Sequence, residues 1–300
     1  MTGYSIAHLT DAHLPLHGGF HARELCGKRA LSAANWLRRR RRLHLREIAD
    51  RLRADVLAHA PDHVAMTGDA VNFGLAREFP LAAEWLGGFG PADRVSFTPG
   101  NHEALTGGWR RPCEAAFGPF ITGDDGAAGW PWLRRRGPVA LIGLSSAIPT
   151  PPFFAQGEVG PAQVERLRAH LAATRGACRI VLIHHPPTEM SKPRKALRDR
   201  AATAAAIAAE GAELVLHGHN HRNEMSWIDG RDGRVPVLGA PSASCPAGTG
   251  HAPAEWRLLT IREEGEGWRV EILRRALGDD GAFVDRGRFS LPAQPAPAAG

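Results

Sequence analysis

Asp11-Ala12-His13, Gly68-Asp69, Gly100-Asn101-His102-Glu103, His184-His185-Pro186 and Gly218-His219-Asn220-His221 stand in that order along the chain. Imidazoles, carboxylates and an amide oxygen are all metal donors, so these motifs amount to a ligand set. In a strand running into a loop, residues i and i+2 project the same way. Asp11 and His13 can therefore serve one ion together. Asp69 has two oxygens and can bridge two ions, and Asn101 offers an amide oxygen. A mixed imidazole and oxygen set suits Mn, Fe, Zn or Co better than Mg or Ca. Two such ions about 3.5–4 Å apart clamp a phosphoryl group. They also bring the pKa of bound water towards neutrality.

Ligands so far apart in sequence need a rigid surface on which to converge, and strand ends feeding short loops supply one. Each motif follows an apolar run. Tyr4 to Leu9, Val64 to Thr67, Val95 to Thr98, Ile180 to Ile183 and Leu214 to Leu216 read as strands. Leu45, Ile48, Leu52 and Val56 recur at helical spacing and predict a helix over about 44–59. Further helices are predicted around 78–86, after Gly160-Pro161, and over about 199–209. Val139 to Leu144 is another strand. Beyond the last motif the helical patterns stop. Met225-Ile228, Val235-Leu238, Trp256-Ile261 and Trp268-Leu273 read as antiparallel strands. An α/β pattern passing into hairpins predicts two packed sheets flanked by helices. Residues 1–290 read as a single domain and 291–300 as a disordered Pro/Ala-rich tail. Segments 16–42 and 104–137 interrupt the pattern; long insertions beside a reactive surface often cover the substrate.

Composition narrows the class. With 43% hydrophobic and 23% charged residues, the chain reads as globular. No apolar run approaches the roughly 20 residues of a membrane span, and no secretory leader pattern is seen at the start. Cys26, Cys113, Cys178 and Cys245 form no C-x-x-C pair, which speaks against a cysteine zinc site and fits a reducing, cytoplasmic setting. The formal charge is +6, and of the 37 Lys and Arg residues only Lys28, Lys192 and Lys195 are lysines. A basic balance favours anionic partners without choosing among them.

The ordered motifs resemble the calcineurin-like metallophosphoesterase superfamily, whose pattern is D-x-H, G-D, G-N-H-[D/E], H and G-H-x-H. The resemblance runs from residue 4 to about 223. It implies a four-layer α/β/β/α sandwich with two mixed β-sheets and a binuclear centre of divalent or mixed-valence Mn, Fe or Zn at the strand ends. One metal would take Asp11, His13, Asp69 and His221, the other Asp69, Asn101, His184 and His219. His184 is preferred to His185 because the family's ligand stands two residues before the proline. His102 would be the catalytic non-ligand, touching the phosphate or the leaving oxygen. The implied function is hydrolysis of a small phosphodiester, such as a cyclic nucleotide, by in-line attack of a metal-bound hydroxide. The alternatives are a membrane-surface pyrophosphate hydrolase on a lipid-linked substrate, a nuclease, and a non-catalytic metal-binding scaffold. Asn-His-Glu stands where lipid A precursor pyrophosphatases carry Asn-Arg-Asp, which counts against the first. No aromatic-and-basic platform for strands is evident, which counts against nucleic acid. No ligand position is missing, which counts against the scaffold.

Other residues have plainer readings. His217 and His185 read as supports for their neighbours, and Glu103 as a fixer of local hydrogen bonds. The run Arg38, Arg39, Arg40, Arg41 and Arg42 reads first as a solvated helix face. Its functional readings are phosphate steering towards the metals, or peripheral contact with an anionic inner-membrane surface beside Trp36.

Overall fold

The computed structural model describes residues 3–16, 18–127, 129–231, 233–265, 267–291 and 294–295. One mixed sheet is built from β1 (Tyr4–Leu9), β2 (His63–Met66), β3 (Val95–Phe97), β10 (Glu255–Glu264), β11 (Gly267–Leu277) and β12 (Phe283–Ser290). Its order is β12-β11-β10-β1-β2-β3, with the short β13 (Gln294–Pro295) on β11. The second sheet holds β4 (Trp132–Arg136), β5 (Val139–Gly143), β6 (Cys178–Leu182), β7 (Leu214–His217), β8 (Glu224–Gly230) and β9 (Gly233–Gly239). Its order is β4-β5-β6-β7-β9-β8. β1-β2-β3 and β5-β6-β7 run parallel, so their ligand-bearing ends lie along one edge of each sheet.

Alternation along the strands explains the layering. Leu141, Ile180, Leu182, Leu214 and Leu216 belong to the same large core cluster as Ile6, Leu9, Met66 and Phe97 of the first sheet. The intervening Ile142, Val181, Ile183 and Val215 turn outward onto Leu167, Leu171, Ala206 and Ile207. Those four belong to α5 (Pro161–Ala173) and α6 (Arg200–Glu210). A strand buried on both faces has no polar side, which is why these strands read as continuous apolar runs. Each such Leu or Val stabilises the fold by about 1.5–3 kcal/mol. On the first sheet, α2 (Arg46–Ala58) buries Ile48, Ala49, Leu52 and Val56, and α3 (Glu78–Gly87) buries Phe79, Ala82, Ala83, Trp85 and Leu86. The result is the four-layer α/β/β/α sandwich with two mixed sheets. Among the described residues no helix is long and apolar enough to cross a membrane.

Several elements differ from the sequence expectation. α1 (Lys28–Arg38) and α4 (Arg110–Ile121) lie inside the two interrupting segments. The arginine run is not one helix face. α1 ends at Arg38, and a 3-10 turn spans Arg40–Arg42. Arg40 therefore turns inward while Arg38, Arg39, Arg41 and Arg42 stay exposed. Trp36 packs its ring against Phe20 and Phe73, so it is a packing residue of this small cluster. β9 pairs antiparallel with β8 but parallel with β7. Of the 291–300 tail, Gln294–Pro295 pairs with Gly267 and Trp268; residues 292–293 and 296–300 lie outside the described residues.

Glu78 opens α3, and its carboxylate accepts backbone N–H bonds from Asn72 at 3.1 Å, Phe73 at 3.1 Å and Leu75 at 2.9 Å. Burial pushes its pKa up to about 7 against those bonds. A carboxyl that holds its proton more tightly when folded contributes stability below its unfolded pKa and loses it as pH rises to the folded one. Stability should therefore decline between about pH 4.5 and pH 7 by an amount on the order of 1–3 kcal/mol from this group. The difference in melting temperature between wild type and Glu78→Gln should change across that window. A difference that is flat with pH would refute the assignment.

Candidate metal centre

The loops after β1, β2, β3, β6 and β7 bring all seven expected ligands and His102 to one place. Asp11, His13, Asp69, Asn101, His184 and His219 are buried, and His102 and His221 are half-buried. His221 Nε2 lies 3.0 Å from Asp11 Oδ1 and 3.2 Å from His13 Nε2. Across the site, Asn101 Oδ1 lies 2.9 Å from His219 Nδ1 and 3.3 Å from His184 Nε2. Asp69 stands between the groups, with Oδ2 3.3 Å from His184 Nε2 and 3.8 Å from His13 Nε2.

The backbone is strained at these residues. Asp11, His13, Asp69, His219 and His221 have φ between 42° and 69°. They are five of the seven non-glycine residues with positive φ among the described residues. Each costs of order 1–3 kcal/mol, and such strain gathers at functional sites. Two glycines permit the crowding. A Cβ on Gly100 would meet the His184 ring at 2.8 Å and Asp69 Oδ1 closer still, and one on Gly218 would overlap Thr10 Oγ1.

The hydrogen bonds favour metal over protein partners. His13 Nδ1 faces the Val71 carbonyl at 3.2 Å, and His184 Nδ1 faces that of Thr67 at 2.7 Å. A carbonyl only accepts, so each ring holds a proton on Nδ1 and, when neutral, turns an Nε2 lone pair to the site. Metal-binding histidines are oriented this way by carbonyls and carboxylates. His219 Nε2 is buried with no hydrogen-bond partner. Burial opposes the Asp69 carboxylate, yet His184 beside it holds its pKa well below the usual range. Burial opposes the His184 imidazolium, and Asp69 outweighs it and raises that pKa. A buried carboxylate that draws a proton onto His184 is a group that demands a cation. The residues fit a metal pair.

The supporting residues have clear duties. His185 is filled by Ser146 Oγ at 2.7 Å and the Ala155 carbonyl at 3.2 Å, so it packs behind the ligands. His217 bonds the Gly218 carbonyl at 2.9 Å. Glu103 accepts backbone N–H bonds from Gly100 at 2.6 Å, Ala70 at 2.7 Å, Asp69 at 3.0 Å and Val71 at 3.2 Å. It ties two ligand loops together. Glu103→Ala would leave four buried donors unpaired and should destabilise the protein by roughly 3 kcal/mol or more, at about 1–3 kcal/mol per orphaned group. Chemical denaturation measures this. A loss below about 1 kcal/mol would contradict the tie.

Sequence reading missed two members of the site. His44 follows the arginine run; its ring lies 4.3 Å from that of His13 and its Nδ1 3.0 Å from Ser244 Oγ. It could join His13 and His221 around one ion. Arg40 donates to His102 Nε2 at 2.7 Å and lies 3.1 Å from both ring nitrogens of His13. The only sequence signal was a run of five identical residues, which does not tell which one points in. His102 donates from Nδ1 to the Asn72 carbonyl at 2.6 Å. Burial, then Arg40, holds its pKa well below 6.5, so it is a neutral ring whose Nε2 accepts from Arg40.

Comparison with known proteins places this geometry in a family. The family model described as calcineurin-like phosphoesterase matches residues 4–223. Among solved structures, the chain is similar to purple acid phosphatase PPD1 from yellow lupin (Lupinus luteus) seeds. The TM-score is 0.58 at 11% identity, covering 96% of this chain and 53% of that one. The chain thus spans about half the length of the lupin protein. It is also similar to GAP50, the anchor in the inner membrane complex of Plasmodium, with a TM-score of 0.51 at 12% identity. That match covers 98% of this chain and 90% of the Plasmodium one. At these identities the likeness speaks to fold alone. No curated protein gives a significant match. With the family match over most of its length and every motif converging at the strand ends, the chain belongs to the calcineurin-like phosphoesterases.

Proposed function

We propose that the protein is a binuclear-metal-dependent phosphodiesterase acting on small phosphodiesters. The observation that carries this is the set of five ligand residues held in left-handed backbone, with His219 Nε2 buried and unpartnered among them. Bound there, a metal pair supplies Lewis acidity for the phosphoryl oxygens and acidifies water. The chain's own residues do the rest. Val71 and Thr67 carbonyls fix the tautomers of His13 and His184. Arg40 presents a permanent cation beside them, aimed by His102, where charge builds on phosphorus-bound oxygens in the transition state. The P–O bond to the leaving group breaks as one from water forms, and the leaving oxygen ends as an alcohol. The cleft above the site has a volume of about 680 Å³, which suits a small molecule.

Purified protein reconstituted with Mn, Fe, Zn or Mg tests this on a panel of bis(p-nitrophenyl) phosphate, p-nitrophenyl phosphate, cyclic nucleotides, sugar-nucleotide diphosphates and single-stranded DNA. Diesters should be hydrolysed with higher kcat/KM than the monoester. Faster monoester hydrolysis, or none with any metal, would overturn the reading.

A further inference from the structure

All three lysines of the chain line the cleft above the metal centre, although they come from distant segments. Lys28 begins α1, while Lys192 precedes and Lys195 ends the 3-10 turn Pro193–Lys195 beyond β6. Elsewhere the chain meets every need for a cation with arginine. Lys28 is half-buried and held in place: its Nζ donates to Thr150 Oγ1 at 2.6 Å and to the Phe154 carbonyl at 2.9 Å. An ammonium has three donors, so one remains for a ligand. Arg39, Arg40 and Arg194 line the same cleft. Among the described residues, none of these six cations pairs with a carboxylate; the only acidic side chain lining the cleft is Asp69, a metal ligand. Two divalent ions would carry more positive charge than Asp11 and Asp69 cancel, so metal binding leaves the wall uncompensated. Lys192 and Arg40 both repel Lys195.

Such a wall calls for an anion of more than one charge. Arginine favours planar, two-point contacts, while lysine binds phosphate as a point charge. A cyclic mononucleotide, with a single charge, would be met by Arg40 and the metals and leave the lysines unmatched. Resting on the phosphodiesterase reading, we propose that Lys28, Lys192 and Lys195 form a second anion subsite. It holds a phosphate group of the substrate other than the one hydrolysed. The substrate class is then a small phosphodiester carrying at least two phosphates, with the diphosphate diesters as the simplest members; there the bond from water forms at one phosphorus as the P–O–P link breaks, and the lysine-held phosphate leaves as a monoester.

Calorimetric titration of the metal-free protein with AMP, ADP and inorganic phosphate tests this without turnover. The protein should bind ADP at least tenfold more tightly than AMP. That advantage should fall at least fivefold in K192Q/K195Q and, separately, in K28Q, each checked for folding by its thermal melt. Equal affinity for AMP and ADP, or an advantage that survives in both variants, would overturn the subsite. Loss of inorganic phosphate binding in the variants without any ADP advantage would mean that the lysines take a separate anion, and the substrate assignment would fall. Hydrolysis of bis(p-nitrophenyl) phosphate by the metal-loaded protein is scored independently. If it is absent while the ADP advantage holds, the enzymatic reading fails and the subsite stands.

Discussion

Asp69→Ala should yield a folded protein that retains neither metal ion tightly and has lost on the order of 10³-fold or more in kcat/KM. The carboxylate lies between the two ligand groups, 3.3 Å from His184 and 3.8 Å from His13. Asp11 sits with His13 and His221, 3.6 Å and 3.0 Å from their Nε2 atoms, while a carboxylate oxygen of it lies within 4.8 Å of Asp69 and His184. The other oxygen of Asp69 accepts the His102 backbone N–H at 2.7 Å, so Asp69→Asn provides a milder companion that keeps an acceptor there. Elemental analysis beside kinetics gives the answer. In the metal-free variant His184 should also lose its raised pKa, because only burial would remain of the two main influences on it. NMR titration of that ring reads the change. An active Asp69→Ala protein with two tightly held metal equivalents would refute the bridging role.

His102→Ala should behave differently, keeping about two metal equivalents while turnover falls by about 10²–10⁴-fold. No expected ligand is removed, and the ring's Nε2 already accepts from Arg40. That contact raises a sharper question. If His102 acts by aiming the guanidinium, then Arg40→Ala and His102→Ala remove one function, and the double variant should be little worse than either alone. If the two act separately on the substrate, their losses should multiply. Full multiplication would reject the positioning role while sparing the metal assignment. Metal loss in His102→Ala alone would make it a ligand.

The ligand loops were legible because the information they need is local. An apolar strand ends, a glycine permits crowding, and the donors follow within a few residues. What surrounds the loops was not local. α1 buries only Ala33 and leaves Leu31 and Leu37 exposed, so its sequence shows no apolar stripe. It is held instead by Trp36 against Phe73, far along the chain. α4 carries Pro119 inside its last turns, which reads as a helix stop. β4 is hidden by three successive arginines. One of them, Arg134, is buried and bonds the Pro119 carbonyl at 2.7 Å and that of Thr122 at 2.8 Å. Those residues close α4, so the charge serves a helix end rather than a ligand. Arg40 was obscured by its neighbours in the same way: five like residues, of which the 3-10 turn after α1 directs one inward.

The gathering of all three lysines in one cleft also makes this protein unusually easy to interrogate by covalent labelling. An acylating or reductively alkylating reagent finds side-chain amines nowhere else on the molecule. Labelling should therefore report on access to the cleft, with peptide mass mapping reduced to two short segments. For the same reason amine-coupled resins and sensor chips would tether the protein by its own mouth wherever they react with a side chain rather than the α-amine. Immobilisation for ligand screening is better directed to the exposed thiol of Cys26 or to an added tag.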